Sequence, residues 1–316
     1  MIINNMHKPT KRKTGIFNDI KANPSSYLLV LPAGIYVFIF GYLTLPYMIM
    51  AFQDYHFTTG LLRSPFVGLR NFEFFFRSPR ALMVTFNTFY LNFLFIVTGT
   101  AGAVMLALML NEIRKKAFLK LVQSMMIFPH FLSWIIVSYI VFAFLSSEYG
   151  WLNSIIQFFG GEPVFMYTDA SYWPGILVIV RLWRGVGISA IIYLAAITGI
   201  DEGLYEAAKI DGANKFQEIR YITLPLLIPT VCILTLLAIG RIFYGDFQMI
   251  YSLVGDNGIL FATTDVIDTF VFRALRQTGD PAGAMAVGIY QAFVGFVLVY
   301  GSNRLVKRLF PDGAIF

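Results

Sequence analysis

Sulfur and imidazole are scarce in this chain: one cysteine, Cys232, and three histidines, His7, His56 and His130, stand among 316 residues. A lone cysteine excludes a disulfide within the chain and any metal site built on several thiolates. The histidines are dispersed, and neither an H-E-x-x-H nor a G-x-S-x-G motif occurs, so no metal site and no catalytic constellation is expected. The phosphate-cradling G-x-x-x-x-G-K-[ST] loop is missing as well, which denies the chain a P-loop for ATP. Charge is the other shortage. Asp, Glu, Lys and Arg supply 13% of the residues, against roughly a quarter in an ordinary soluble domain. With 57% hydrophobic residues and a mean hydropathy of +0.68, the composition is that of an integral membrane protein.

What the chain has instead is six apolar runs close to the twenty residues that cross a bilayer as helix: about Tyr27–Phe52, Leu82–Leu110, Leu121–Leu145, Trp173–Ile200, Pro225–Leu253 and Ala282–Leu305. The runs are long and continuously apolar, without the period-two alternation of a membrane barrel, so the expected fold class is all-α with six transmembrane helices.

Orientation follows from Lys and Arg. Fifteen lie in segments on the same side as the N-terminus, six (Arg63, Arg70, Arg77, Arg80, Arg273 and Arg276) on the opposite side, and Arg181, Arg184 and Arg241 within the runs, which accounts for all 24. The positive-inside bias predicts both termini in the cytoplasm. The net charge of +6 is explained by this topology and does not point to nucleic acid. Residues 1–25 read as a cytoplasmic tail with at most a short interfacial helix, followed by an uncleaved first span and a transmembrane domain over 26–316. The first outer segment, Gln53–Arg80, suits a surface-lying helix. The third, Gly255–Pro281, contains a run Val266–Leu275 that predicts a short helix.

The polar stretch Asp201–Leu224 falls on the cytoplasmic side. Leu204, Ala207 and Ala208 share a helical face beside Glu206. Asp211-Gly212 follows, and Gly212 can take the left-handed conformation that ends a helix. Pro225 then opens the next span at a position where its missing N–H does no harm. Such a helix would either pack on the protein's own surface or be gripped by another protein.

The spacing Glu206-Ala207-Ala208, Gly212, then Ile222-x-Leu224-Pro225 resembles the EAA signature of permease subunits of bacterial ABC importers. Likeness extends over nearly the whole chain: Val67-Gly68-Leu69-Arg70-Asn71-Phe72 and Asn87-Thr88 resemble the MalF-type subunits of carbohydrate importers. Leu110-Asn111-Glu112, Phe128-Pro129-His130-Phe131-Leu132-Ser133-Trp134 and Thr264-Asp265-Val266-Ile267-Asp268-Thr269 are similar to the LplB-type permeases for complex carbohydrates. The resemblance implies the type I importer permease fold in a bacterial plasma membrane, with both termini inside. It implies that Asp201–Leu224 is a coupling loop in a groove of a separate ATPase, with Glu206 at the contact and Gly212 setting the turn. It also implies partners: a second, different permease, two ATPase copies holding ATP and magnesium, and an extracytoplasmic solute-binding protein that delivers oligosaccharide. The chain itself would bind no cofactor and break no bond.

Ionisable groups inside a membrane usually face a cavity or a partner. Arg184, Arg241, Tyr244, Asp246 and Gln248 are the candidate sugar path, with Arg181 three residues from Arg184 on the same helix face. Aromatic faces would stack on pyranose rings, and arginines would pair with hydroxyls or with the carboxylates of uronic acids. Alternatively, these groups pair with one another or with a second subunit. Two other functions compete with the importer. An ion-coupled secondary sugar carrier needs coupling residues in broken helices, and Asp246 is the only clear acidic candidate in a run. A membrane-embedded enzyme needs a constellation that is not there.

Overall fold

The computed structural model describes residues 16–309, so the first fifteen residues of the expected tail lie outside the described residues. Nearly everything described is helical, apart from connecting loops and one isolated antiparallel bridge between Gln53 and Phe66. Five helical segments are long and apolar enough to span a membrane, and a bent pair makes a sixth.

After a short helix Ile16–Ala22, Pro24 opens helix α1 (Pro24–Val37) at a position where no N–H is needed. A wide turn at Phe38–Tyr42 and a tight helical stretch, Leu45–Phe52, complete the first span. No residue of α1 is buried, and contact with the bundle comes mainly from Leu45–Phe52. Helix α2 (Pro79–Asn111) starts where the Ser78 hydroxyl accepts the Arg80 amide. It packs along most of its length on α5 (Trp173–Thr198), and these two helices form the spine of the bundle. Gly102 lets them approach, since a Cβ there would lie 3.4 Å from both Leu182 and Val186.

The third run is not the continuous span Leu121–Leu145 that hydropathy predicts. It begins earlier as α3 (Lys116–Ile127), breaks through a tight turn at Phe128–Phe131, and restarts as α4 (Trp134–Leu145) at 99° to the first half. Pro129 removes a helical donor and its ring crowds the preceding turn. The Ser133 hydroxyl then accepts the Ile136 amide and caps the new helix. Helix α3 comes very near α5 at Gly187, where a Cβ would sit 2.1 Å from the Met126 carbonyl oxygen. Gly187→Ala is therefore expected to push the two backbones apart and cost about 1–3 kcal/mol. The check is a lower thermal midpoint of the purified protein in detergent, with Gly185→Ala, where the space is open, unchanged.

The fifth run also departs from expectation. Its span is Lys215–Ile239, which begins ten residues before and ends fourteen residues before the expected Pro225–Leu253. The chain is helical over Lys215–Glu218 and widens by one residue per turn at Ile219–Thr223, where the Leu224 amide donates to the Ile219 carbonyl. It continues as α7 (Leu224–Ile239), while α6 (Glu202–Ile210) is the short helix preceding this span. Widening the turn makes room for the Pro225 ring, which would otherwise clash with the carbonyl four residues back. The chain then leaves helical geometry before α8 (Phe247–Val254). Helix α9 (Ile267–Thr278) matches the short helix expected in this region, and α10 (Pro281–Leu309) is the last span. A helix is present in the first loop segment, Arg70–Arg77.

Three buried apolar clusters hold the bundle. One joins α2, α4, α5 and α8 through Leu91, Trp134, Trp173 and Met249. A second joins α2, α5 and α7 through Ala107, Tyr193 and Leu227. The third centres on Val84, Ile242, Ile267 and Val287.

Candidate functional site

The broken span α3–α4 and the break in helix that follows the fifth span, between α7 and α8, face one cavity. Inside a membrane, non-helical backbone survives only where protein or trapped water satisfies its polar groups, and both breaks obey this rule. At the first, Leu132 is extended and its carbonyl receives the Arg184 Nε at 3.0 Å, while the Arg184 guanidinium lies over the Trp134 ring at 4.2 Å. At the second, between α7 and α8, the Phe243 carbonyl accepts the Gln291 amide at 2.9 Å and the Tyr244 carbonyl accepts Asn92 at 3.4 Å. The Gly245 amide donates to the Asp268 carboxylate at 2.6 Å. Burial pushes the Asp268 carboxyl above its ordinary pKa, and the donors at Gly245 and Gln291 oppose that shift. Asp246 caps α8 by accepting the Met249 amide at 3.1 Å, and its other oxygen meets Arg181 Nη1 at 2.8 Å. Arg181 also lies over the Phe95 ring at 4.7 Å.

The cavity between α2, α5, α7 and the two breaks has a volume of about 630 Å³. Arg181, Arg184, Arg241, Tyr244 and Asp246 all line it. Gln248 does not; it is exposed on α8 outside the lining. The arginines therefore differ in what they already hold. Arg181 is paired with Asp246 and Arg184 supports the first break, while Arg241 is exposed and its side chain has no hydrogen-bond or ion-pair partner among the described residues. Arg241 and Asp246 lie in the break between α7 and α8, not inside one continuous helix as the run Pro225–Leu253 predicts. His130 also lines the cavity, and its Nδ1 is buried without a hydrogen-bond partner among the described residues. Pro129 beside it is the sequence signal that this position lies in a break and not mid-helix.

Several quoted motifs build the support for this cavity. The Asn87 amide donates to the Ala262 and Asp265 carbonyls, each at 3.1 Å, and the Thr88 hydroxyl accepts the Ile267 amide at 2.9 Å. Asp265 accepts from Thr269 at 2.7 Å and pairs with Arg273, whose guanidinium covers the Phe261 ring at 4.0 Å. Asn71 donates to the Ala51 and Gln53 carbonyls at 3.0 and 2.8 Å, tying the segment after the first span to that span's end. These residues fix the end of the bundle remote from Asp201–Leu224.

At the other end, Asp201 accepts the Gly203 amide and starts α6. The Ala213 amide donates back to the Ala208 carbonyl at 2.9 Å and the Gly212 amide to Lys209 at 3.1 Å. This pair of bonds defines a Schellman turn, with Gly212 at φ +81° in the left-handed region. Asn214 and Gln217 then cap the fifth span reciprocally, through bonds of 3.0 and 2.8 Å. Glu206, Ala207, Asp211, Gly212 and Pro225 are exposed, while Ala208, Ile222 and Leu224 are partly covered. A concavity of about 270 Å³ opens between Ala208, Gly212 and Ile222. The helix stands clear of the bundle, with Leu204 46% and Ile210 86% exposed. One side-chain bond ties it to the fifth span, Tyr205 Oη with Thr223 Oγ1 at 2.9 Å, while Lys215, at the start of that span, pairs with Glu218 at 3.0 Å and reaches Glu112 at 3.5 Å.

A helical membrane protein with a polar cavity beside a broken span and a projecting helix between its fourth and fifth spans has the build of a transport permease. The chain belongs to the family of binding-protein-dependent transport system inner membrane components, whose model matches residues 99–310. It is thus a multi-pass protein of the bacterial plasma membrane. It is 37% identical to the polygalacturonan/rhamnogalacturonan transport system permease protein YteP of Bacillus subtilis, over 91% of this chain and 89% of that one. Protein LplB of the same organism is 32% identical, over 93% and 92%. Among solved structures, a bacterial alginate ABC transporter in complex with alginate pentasaccharide-bound periplasmic protein matches with a TM-score of 0.84 and 33% identity, covering 93% of this chain and 98% of that one. The family and these relatives favour the importer over the ion-coupled carrier. The acidic group at the break, Asp246, is already held by Arg181.

Proposed function

We propose that this chain is one of two different permease subunits of an ATP-driven importer of oligosaccharides derived from complex polysaccharides. Both termini lie in the cytoplasm, and an extracytoplasmic solute-binding protein delivers the cargo to the opposite face. ATP and magnesium are held by a separate pair of ATPase subunits, whose closure pulls on Asp201–Leu224. The observation that carries this reading is the projecting helix with the EAA residues, exposed on its free faces and bonded through Tyr205 to the start of α7, in a loop whose Lys215 pairs with Glu112 at the end of α2. Both of those helices line the cavity. The excess of Lys and Arg on the loop side supports the orientation. The relatives transport polygalacturonan, rhamnogalacturonan and alginate according to their names, which supports the cargo class.

The test is recovery of partners on a tagged chain expressed with its ATPase and second permease. Wild type is expected to bring down both. Glu206→Arg is expected to lower ATPase recovery about tenfold, the effect of losing one interface contact worth ~1.4 kcal/mol, while the second permease is retained. Uptake driven by an ion gradient without ATP would overturn the proposal.

A further inference from the structure

Three arginines and one aspartate line the cavity, so its net charge is positive. A cleft walled by low-dielectric protein and lipid focuses such a field and concentrates anions. Arg181 neutralises Asp246 at 2.8 Å. Arg184 is turned to the Leu132 carbonyl and the Trp134 face. That leaves Arg241, exposed to the cavity and without a partner among the described residues. It stands on a fixed turn: its amide donates to the Ala238 carbonyl at 3.0 Å and its carbonyl accepts the Tyr244 amide at 2.9 Å. The next residues of the break are held by Gln291, Asn92 and Asp268. A guanidinium presented in this way is suited to bidentate pairing with a carboxylate. Tyr244, 40% exposed and on the same turn, offers a ring for a pyranose face.

We infer that the cargo is an anionic saccharide and that Arg241 is the residue that takes its carboxylate during passage, whereas Arg181 and Arg184 hold the cavity's shape. This rests on the carbohydrate-importer reading above and narrows its cargo to sugars bearing carboxylates. Neutral sugars would gain hydrogen bonds from Arg241 but would leave its charge uncompensated.

The experiment uses the complete complex with its binding protein in proteoliposomes, with trigalacturonate and trimannuronate and their methyl esters as probes. Wild type is expected to import at least one acid at a rate well above that of its ester. With binding protein saturated by that acid, Arg241→Gln is expected to cut uptake about tenfold, the loss of a single charge-assisted pair. The loaded binding protein should still stimulate ATP hydrolysis, and Arg241→Lys should recover part of the transport. Equal uptake of acid and ester by wild type, or wild-type uptake by Arg241→Gln, overturns the inference alone. Joint loss of uptake and stimulated hydrolysis in both Arg241 variants also overturns it, because it marks a structural role. If wild type takes up neither acids nor esters with ATP, the importer reading falls, and this inference falls with it.

Discussion

Gly212→Val is expected to abolish most ATP-driven transport by the assembled complex while leaving the transmembrane bundle intact. Gly212 sits at φ +81° with nothing within 4 Å of where a Cβ would stand, so the substitution meets no steric obstacle from neighbours. Its cost is conformational. A side chain in the left-handed region is disfavoured by roughly 1–2 kcal/mol, and a β-branched one by more. The Ala213-to-Ala208 and Gly212-to-Lys209 bonds depend on that conformation, so valine would unwind the turn and re-aim Glu206. Transport in proteoliposomes is expected to fall about tenfold or more, since each ~1.4 kcal/mol is a factor of ten. Asn, which tolerates the left-handed region, is expected to retain most activity. The thermal midpoint of the detergent-purified chain should stay at the wild-type value for both. Wild-type transport by the valine variant would show that the turn's geometry does not matter.

Asp265→Ala is expected to have the largest effect on stability. The carboxylate side chain is fully buried and its partner Arg273 is 10% exposed. Removing the acid leaves a guanidinium with no counter-charge in a dry setting and frees the Thr269 hydroxyl. Breaking a buried pair from one side costs about 3–5 kcal/mol, enough to empty the folded population of a marginal protein. The expected readout is a sharp drop in monodisperse protein after solubilisation. The double variant Asp265→Leu, Arg273→Met removes both charges together and is expected to recover much of the loss, because buried pairs add little net stability over apolar replacements. In the native cluster, one Asp265 oxygen already lacks a hydrogen-bond partner among the described residues, which fits a pair retained for specificity of fold more than for stability. A double variant no better than the single would show that packing around Asp265, and not charge, is decisive.

The spans that the sequence reveals most faithfully are the uninterrupted ones. α2, α5 and α10 begin and end within a few residues of the apolar runs, because hydropathy measures transfer into lipid and these helices cross it in one piece. The breaks are hidden for the same reason: Phe128, Phe131 and Leu132, like Ile242 and Phe243, are as apolar as helix interiors. Hydropathy does not register backbone torsion. The only local markers are Pro129 for the first break and Gly240 with Gly245 for the second. Gly212 was legible because its turn closes within six residues of chain. The Arg181–Asp246 pair, 65 residues apart in sequence, was not, since no local pattern chooses between a paired and a free arginine.

The segment Lys215–Ile239 joins the projecting loop to the break that carries Arg241, and it is helical throughout its 25 residues. At about 1.5 Å per residue it is a lever roughly 37 Å long. A tilt of roughly 10° about its loop end would sweep the other end through about 6 Å, close to one turn of helix. Arg241, two residues past the end of this segment, is thus carried at the far tip of an arm whose near end is the projecting loop, so a small tilt at the loop is magnified into a displacement of the arginine longer than its own bond to a ligand would be.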